Sequence, residues 1–326
     1  MNRASIKLLL TLCVLAPLSL AHPAKAQEAD FANWLQNFAL EAAAAGVSES
    51  TIQAALPQIE FLPDVIRLDG KQPEKSITFD RYTTNTLPAQ RIRRGRELYD
   101  RYRADLKKLS DQYGVPGKVV VALWGMESSY GDNMGGYDVI SSLATLAYEG
   151  RRAEFFKTEL LKAFQILDAE HIELHQMRGS WAGAMGQCQF MPSSFLNFAV
   201  DGNGDGKRDI WGTPLDVFAS AANYLKSSGW KRGESWGREV RPPANLDASL
   251  IGLQTRKKLS DWATLGFRRE DGSALPSVDI EASLVMPDGP NGRAFLVYDN
   301  YRIIMKWNRS TYFATSVGLL SDMVGE

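Results

Sequence analysis

The chain has 326 residues, 44% of them hydrophobic and 23% charged, with a formal net charge of -1. That length can bury a large hydrophobic core, and the near-neutral charge gives no footing for nucleic acid or an anionic membrane surface. Of its two cysteines, Cys13 lies in the apolar N-terminal run and only Cys188 lies beyond it, so no internal disulfide can staple a processed chain.

The N terminus has the pattern of an export signal. Arg3 and Lys7 precede the apolar run LLLTLCVLAPLSL at 8–20, and AKA at 24–26 has the small residues of a cleavage site. The run is short for a membrane span, so processing at 1–26 is expected, with a retained anchor as the alternative. Cleavage after Ala26 removes Arg3, Lys7 and Lys25 and no acid. That leaves 34 basic against 38 acidic residues, a net charge of -4.

Residues 30–57 have helical patterning, with Gly46 ending one helix and Ser48 placed to cap the next. Residues 61–89 hold Pro63, Pro73 and Pro88 and are expected to cross the surface as a connection. The stretch 91–114 spaces Ile92, Leu98, Tyr102, Leu106, Leu109 and Tyr113 as one helix that Gly114 stops. Pro116 opens the next helix, VVVALWGME, which carries Glu127 near its carboxyl end. A long helix follows over 151–177, with Phe155, Leu160, Phe164, Leu167 and Leu174 on its packed face. The segment 179–192 is rich in glycine and small residues. Helices are expected at 192–199 and 214–228, separated by an acidic loop at 201–209. Residues 236–300 change character: SLVMP and AFLVYD, broken by proline and glycine, read as a minor strand-containing part. A last helix spans about 310–323. The fold class expected is mainly α with a minor β segment.

Glu127 follows an apolar run with no basic residue between Lys118 and itself. If its side chain faces a cleft, burial disfavours the charged form, and a carboxylic acid protonated near neutrality can hand a proton to a leaving oxygen. A cap or an ion pair to a neighbouring helix would use the same residue type. Hydrolysis of a glycan commonly needs a second carboxylate, and the only neighbour in sequence, Asp132, follows Gly131 as a turn residue would. The absence of a convincing partner permits chemistry in which one group is first acid and then base.

Two further patterns concern metals. His171 and His175 share a helical face, but Glu173 lies two residues from each and no third ligand is evident, which suits surface histidines. DGNGDGKRD at 201–209 sets Asp201, Asn203 and Asp205 at the first, third and fifth positions of a calcium loop. Gly206 supplies the turn, the Lys207 carbonyl a ligand and Asp209 the ninth position. The twelfth position is Gly212, so the usual bidentate carboxylate is missing; a capped acidic turn would also account for the pattern. Cys188 is read as a small packing residue, since a cysteine nucleophile has no evident histidine partner to activate it.

ALWGMESSYG at 122–131, GSWAGAMGQCQFMPSSF at 179–195, AVDGNGDGKRDIW at 199–211, ANYLKSSGW at 222–230 and NYRIIMKWNRSTYFATSV at 300–317 occur in order. Together they resemble the lytic murein transglycosylase B family, over nearly all of 30–323. The resemblance implies a lysozyme-like catalytic core with helical flanks, filling 27–326, in an exported enzyme of the periplasm. It implies cleavage of the β-1,4 bond between N-acetylmuramic acid and N-acetylglucosamine without water, giving 1,6-anhydromuramoyl ends, with peptidoglycan strands as partner. A lysozyme-type muramidase and a non-catalytic peptidoglycan-binding protein are the alternatives. By the same resemblance Glu127 is the single acid and base. Ser180 and Gln189 are polar substrate contacts, Tyr82, Tyr224 and Tyr312 aromatic ones, and Asn308 orients the glutamate or the substrate's acetamide. Trp307 stands where relatives often have tyrosine: the ring remains but a hydroxyl is lost, which puts one hydrogen bond in doubt. No cofactor is implied for the chemistry, and a structural calcium at 201–209 occurs in one type of member. Contacts with cell-wall machinery and the oligomeric state are not legible in these residues.

Overall fold

The computed structural model describes residues 23–70 and 77–325. The expected leader falls outside them except for 23–26, which begin the first helix. The helices, in chain order, are α1 (Pro23–Ala44), α2 (Glu49–Ala55), α3 (Pro63–Asp69), α4 (Phe79–Thr86), α5 (Ala89–Arg101), α6 (Arg103–Tyr113), α7 (Gly117–Ser128), α8 (Val139–Glu149), α9 (Ala153–Asp168), α10 (Pro192–Phe198), α11 (Pro214–Ser227), α12 (Leu259–Thr264), α13 (Asp299–Trp307) and α14 (Thr311–Val324). The strands are β1 (Tyr137–Asp138), β2 (Arg178–Gly179), β3 (Gly237–Arg241), β4 (Gly252–Lys258), β5 (Arg268–Arg269), β6 (Glu281–Val285) and β7 (Ala294–Val297). The architecture is predominantly helical with a small sheet, as the lysozyme-like expectation requires.

Helix α7 is apolar on all sides because it runs through the core. Val119 to Gly125 are buried without interruption, and the helix packs against α5, α6, α11 and α14. Ser48 caps α2 by accepting from the Thr51 amide, as expected, and Gly114 ends α6 in a left-handed conformation.

Strands β4-β6-β7-β3-β5 form an antiparallel sheet that separates two apolar clusters. Phe295 and Val297 of β7 join the large helical core, whereas Ala294 and Leu296 face a smaller core with Trp262 of α12 and Phe267. Burial on both faces explains why AFLV is apolar without alternation.

Several expectations are corrected. Residues 61–89 hold α3 and α4, not only a connection, because Pro63 is tolerated in a first turn and Thr78 caps α4. The single helix over 91–114 is two, broken at Tyr102 (φ -100°, ψ 16°). The long helix over 151–177 stops at Asp168, and its Phe155 is 48% exposed while Phe156 takes the core position. Helices α8 and α13 were not expected; α8 is capped by Asp138, which accepts from the Ser141 amide at 2.7 Å. Among the described residues no helix is long and apolar enough to cross a membrane.

Candidate active site

Glu127 lies in the last turn of α7, and the chain reverses immediately after it. Ser129, Tyr130 and Gly131 all have positive φ (52°, 66° and 89°). Two of these are not glycine, so the turn carries backbone strain that its surroundings must hold. Tyr130 folds back beneath the helix: its hydroxyl donates to the Arg91 carbonyl at 2.9 Å, and its ring lies where a Cβ on Gly125 would sit. The Arg91 guanidinium donates to the Ser129 hydroxyl at 2.7 Å and to the Thr86 carbonyl. Gly131 has a second reason to be glycine: a Cβ there would come within 2.6 Å of Gln187 Oε1. The spacing WGMESSYG thus encodes the end of a helix and a locked reversal directly after Glu127.

The glutamate side chain is half-buried, with its carboxyl among packed groups. Burial pushes its pKa up from the ordinary 4.5 to about 7, and a hydrogen bond from Trp307 pulls the other way. The negative end of the α7 dipole acts in the same direction as burial. The Trp307 indole N–H donates to Glu127 Oε1 at 2.7 Å. The hydrogen bond that the loss of a hydroxyl put in doubt at this position is supplied by the indole nitrogen. No second carboxylate enters the causes of the Glu127 shift, and Asp132 is exposed on the turn.

Rings from four helices surround the acid. Trp307 of α13 contacts Tyr224 of α11 (ring centroids 4.8 Å) and Phe190 (5.1 Å). The Tyr224 hydroxyl donates to the Lys306 carbonyl at 2.8 Å, which ties α11 to α13. Tyr82 of α4 is close enough that the Glu127 charge, after burial, raises its pKa. It contacts Tyr312 of α14 (5.5 Å), whose hydroxyl donates to Asp288 at 2.8 Å. Tyr82, Tyr224, Trp307 and Tyr312 are each partly exposed.

The other candidates are more dispersed. Ser180 Oγ accepts from the amides of Ala182 and Ala184 and shapes the loop before α10. Gln189 has φ 49° and donates to the carbonyls of Met134 (3.0 Å) and Gly186 (2.8 Å). Asn308 is exposed and its Oδ1 accepts from the Ser310 amide at 3.0 Å, at the start of α14. Cys188 is buried, its thiol pKa is raised by burial and then by the Glu127 charge, and its Sγ–H points at the Val217 carbonyl. A thiol held neutral in this way is no nucleophile.

Gln187 escaped the sequence reading. Its Oε1 accepts from Trp124 Nε1 at 2.7 Å, and its Nε2 donates to the Trp211 carbonyl at 2.7 Å. It joins α7, the glycine-rich loop and the segment before α11 from within the core. Only the two glutamines of GQCQF hinted at it, and alternation alone could not tell the buried from the half-exposed one.

The acidic loop closes on itself. Asp201 accepts from the amides of Gly204, Asp205 and Gly206, and Asn203 donates to Asp205 at 2.9 Å. Asp209 instead accepts from Trp211, Gly212 and Thr213. Buried Asp216 anchors the loop by accepting from the amides of Gly202 and Asp209. Asp201, Asn203 and Asp205 thus bond the loop's own amides and one another, and Asp209 bonds the segment leading into α11. Among the described residues no group of three or more His, Cys, Asp or Glu is placed to hold a metal. His171 packs its ring against Phe195, with centroids 5.6 Å apart.

Residues 30–322 match the family described as Transglycosylase SLT domain. The chain is similar to "Membrane-bound lytic murein transglycosylase B" of Escherichia coli (strain K12), 31% identical over 292 residues, covering 86% of this chain and 79% of that one. Its fold is similar to that of SltB3 from Pseudomonas aeruginosa, solved in complex with NAG-anhNAM-pentapeptide. That match has a TM-score of 0.88 and 45% identity, covering 90% of this chain and 79% of that one. It is also similar to the Escherichia coli lytic transglycosylase Slt35 solved in complex with calcium, with a TM-score of 0.76 and 30% identity, covering 89% and 92%.

Proposed function

The chain belongs to the Transglycosylase SLT domain family, and from that membership we propose how its site cleaves peptidoglycan, with Glu127 as the one acid and base. It is a peptidoglycan lytic transglycosylase, and its partner is the glycan strand. The observation that carries the residue assignment is a single half-buried carboxyl whose pKa is about 7, ringed by partly exposed aromatic faces.

In the first step protonated Glu127 gives its proton to the oxygen linking the muramoyl C1 to the next sugar, and the C1–O bond breaks. The sugar's own 2-acetamido group stabilises the charge left at C1. In the second step the muramoyl 6-hydroxyl closes on C1 and loses its proton to the Glu127 carboxylate. The acid is regenerated, one C–O bond replaces another, and no water is consumed. A pKa near 7 suits a group that must give a proton and then take one. The aromatic faces of Tyr82, Tyr224 and Tyr312 offer platforms for the sugar rings. Ser180, Gln189 and Asn308 are assigned the polar contacts to the substrate on the family's pattern.

Glu127→Gln should abolish anhydromuramoyl products from purified peptidoglycan; retention of those products would sink the assignment. The product mass decides between closure and hydrolysis, because a muramidase yields ends heavier by one water.

The export pattern at 1–26 and an extracytoplasmic substrate support a periplasmic location, with 27–326 as one catalytic unit. Processing should leave Gln27 as the first residue, which N-terminal sequencing of the exported protein would show. A calcium ion at 201–209 would have a structural role, held by Asp201, Asn203, Asp205 and the Lys207 carbonyl.

A further inference from the structure

Glu127 has two oxygens, and the proposed first step needs the proton on one of them. Trp307 treats them unequally. Its Nε1–H lies 2.7 Å from Oε1, and an indole nitrogen in this setting donates only; it cannot accept. A carbonyl oxygen accepts a hydrogen bond better than an acid O–H does. Resting on the acid role given to Glu127 above, we propose that Trp307 is a positioning residue: its indole holds Oε1 in the accepting form, so that the transferable proton resides on Oε2.

The indole is itself fixed. Tyr224 and Phe190 clamp its ring, and Tyr224 is held in turn by Phe198, with ring centroids 4.7 Å apart, and by the Lys306 carbonyl. Trp307 is also the last residue of α13, where the Asn308 amide still donates to the Ile304 carbonyl at 3.2 Å. A ring held by two aromatic contacts and a helix end keeps its N–H direction while the proton leaves. When Glu127 ionises, the same bond becomes charge-assisted and shortens, so Trp307 supports the carboxylate that must collect the second proton.

Other ionisable groups near the carboxyl do not mimic this effect. Tyr82 from α4 and Cys188 from the loop before α10 both have pKa values raised above their ordinary ones, as does Tyr224 from α11. Tyr312 from α14 is also raised and is bonded to Asp288, and Arg91 from α5 is engaged with Ser129. Each of the four raised groups stays neutral through pH 7.

Two measurements test the proposal. Trp307→Phe keeps a ring for Tyr224 and Phe190 and deletes the N–H. Single-turnover cleavage should show its alkaline limb moved to higher pH by about 0.5–1 unit, and its low-pH rate lowered about threefold to tenfold. An unchanged limb with only KM or thermal stability altered would overturn the positioning role. The second measurement needs no change at Trp307. In the protein labelled with 15N-tryptophan, one indole N–H resonance should move downfield with a midpoint near pH 7 and stand still in Glu127→Gln. The absence of any such titrating indole would overturn the proposal. The resonance reports the hydrogen bond whether or not strands are cleaved, so inactivity with a titrating indole would count against the catalytic reading of Glu127 and not against this bond.

Discussion

In the proposed mechanism Glu127 is an acid and a base in turn, and these roles ask opposite things of its surroundings. Burial favours the protonated form, while the Trp307 N–H favours the carboxylate; the balance lies at about 7. Activity should fall as pH rises through that value, because the donor is lost. In single-turnover cleavage, a rate that climbed through pH 7 and stayed high would contradict the first step. Glu127→Gln should lower the rate by about 10²- to 10⁴-fold, the usual worth of a positioned proton donor. The same residue bears on stability. A carboxyl whose pKa folding raises contributes stability that is full below its unfolded value of 4.5 and is lost as pH rises through about 7. Glutamine cannot ionise and still accepts from Trp307. Glu127→Gln should therefore match the parent at pH 4 and exceed it by about 2 kcal/mol at pH 8, a figure discounted for partial exposure. Urea unfolding at the two pH values decides it; no gain at pH 8 would mean that the carboxylate is not held at a cost.

At the scale of elements, the end of α7 and the loops around it hold the site. The left-handed run at 129–131 would unwind without the Arg91–Ser129 bond, the Tyr130 anchor and the contact between Gly131 and Gln187. Gly131→Ala meets a left-handed φ and a 2.6 Å approach together. It should cost about 2–4 kcal/mol and depress cleavage, as thermal melting and product assay would show. A variant as stable and active as the parent would mean that the turn tolerates repacking. The acidic loop makes a weaker demand. With Asp209 committed to the start of α11 and Gly212 lacking a side chain, calcium should bind only in about the millimolar range. Titration calorimetry would show this, and micromolar binding would require Asp209 to turn inward.

Across the whole molecule, the sheet couples two apolar cores. Phe295 lies in the helical core and Leu296, its neighbour on β7, in the smaller one. Phe295→Ala and Leu296→Ala should each cost about 3–5 kcal/mol and lower one shared transition. Calorimetry showing two separate melts, each sensitive to only one substitution, would refute that coupling.

The sequence by itself determined the helical class, the position of Glu127 near a helix end, the caps at Ser48 and Gly114, and the strands in SLVMP and AFLVYD. These follow from local periodicity and turn chemistry, which residues carry with them. It did not reveal α8 or α13, the break at Tyr102, or which of Phe155 and Phe156 faces inward, because packing partners far along the chain decide those. The family resemblance marked Tyr82 and Tyr224, but not that Trp307 would reach the acid from 180 residues away, nor that Gln187 rather than Gln189 would be the buried cross-link. Hydrogen-bond partners at that separation are set by how α7, α11 and α13 pack, and only the tertiary structure fixes the distance and direction on which the pKa of Glu127 depends.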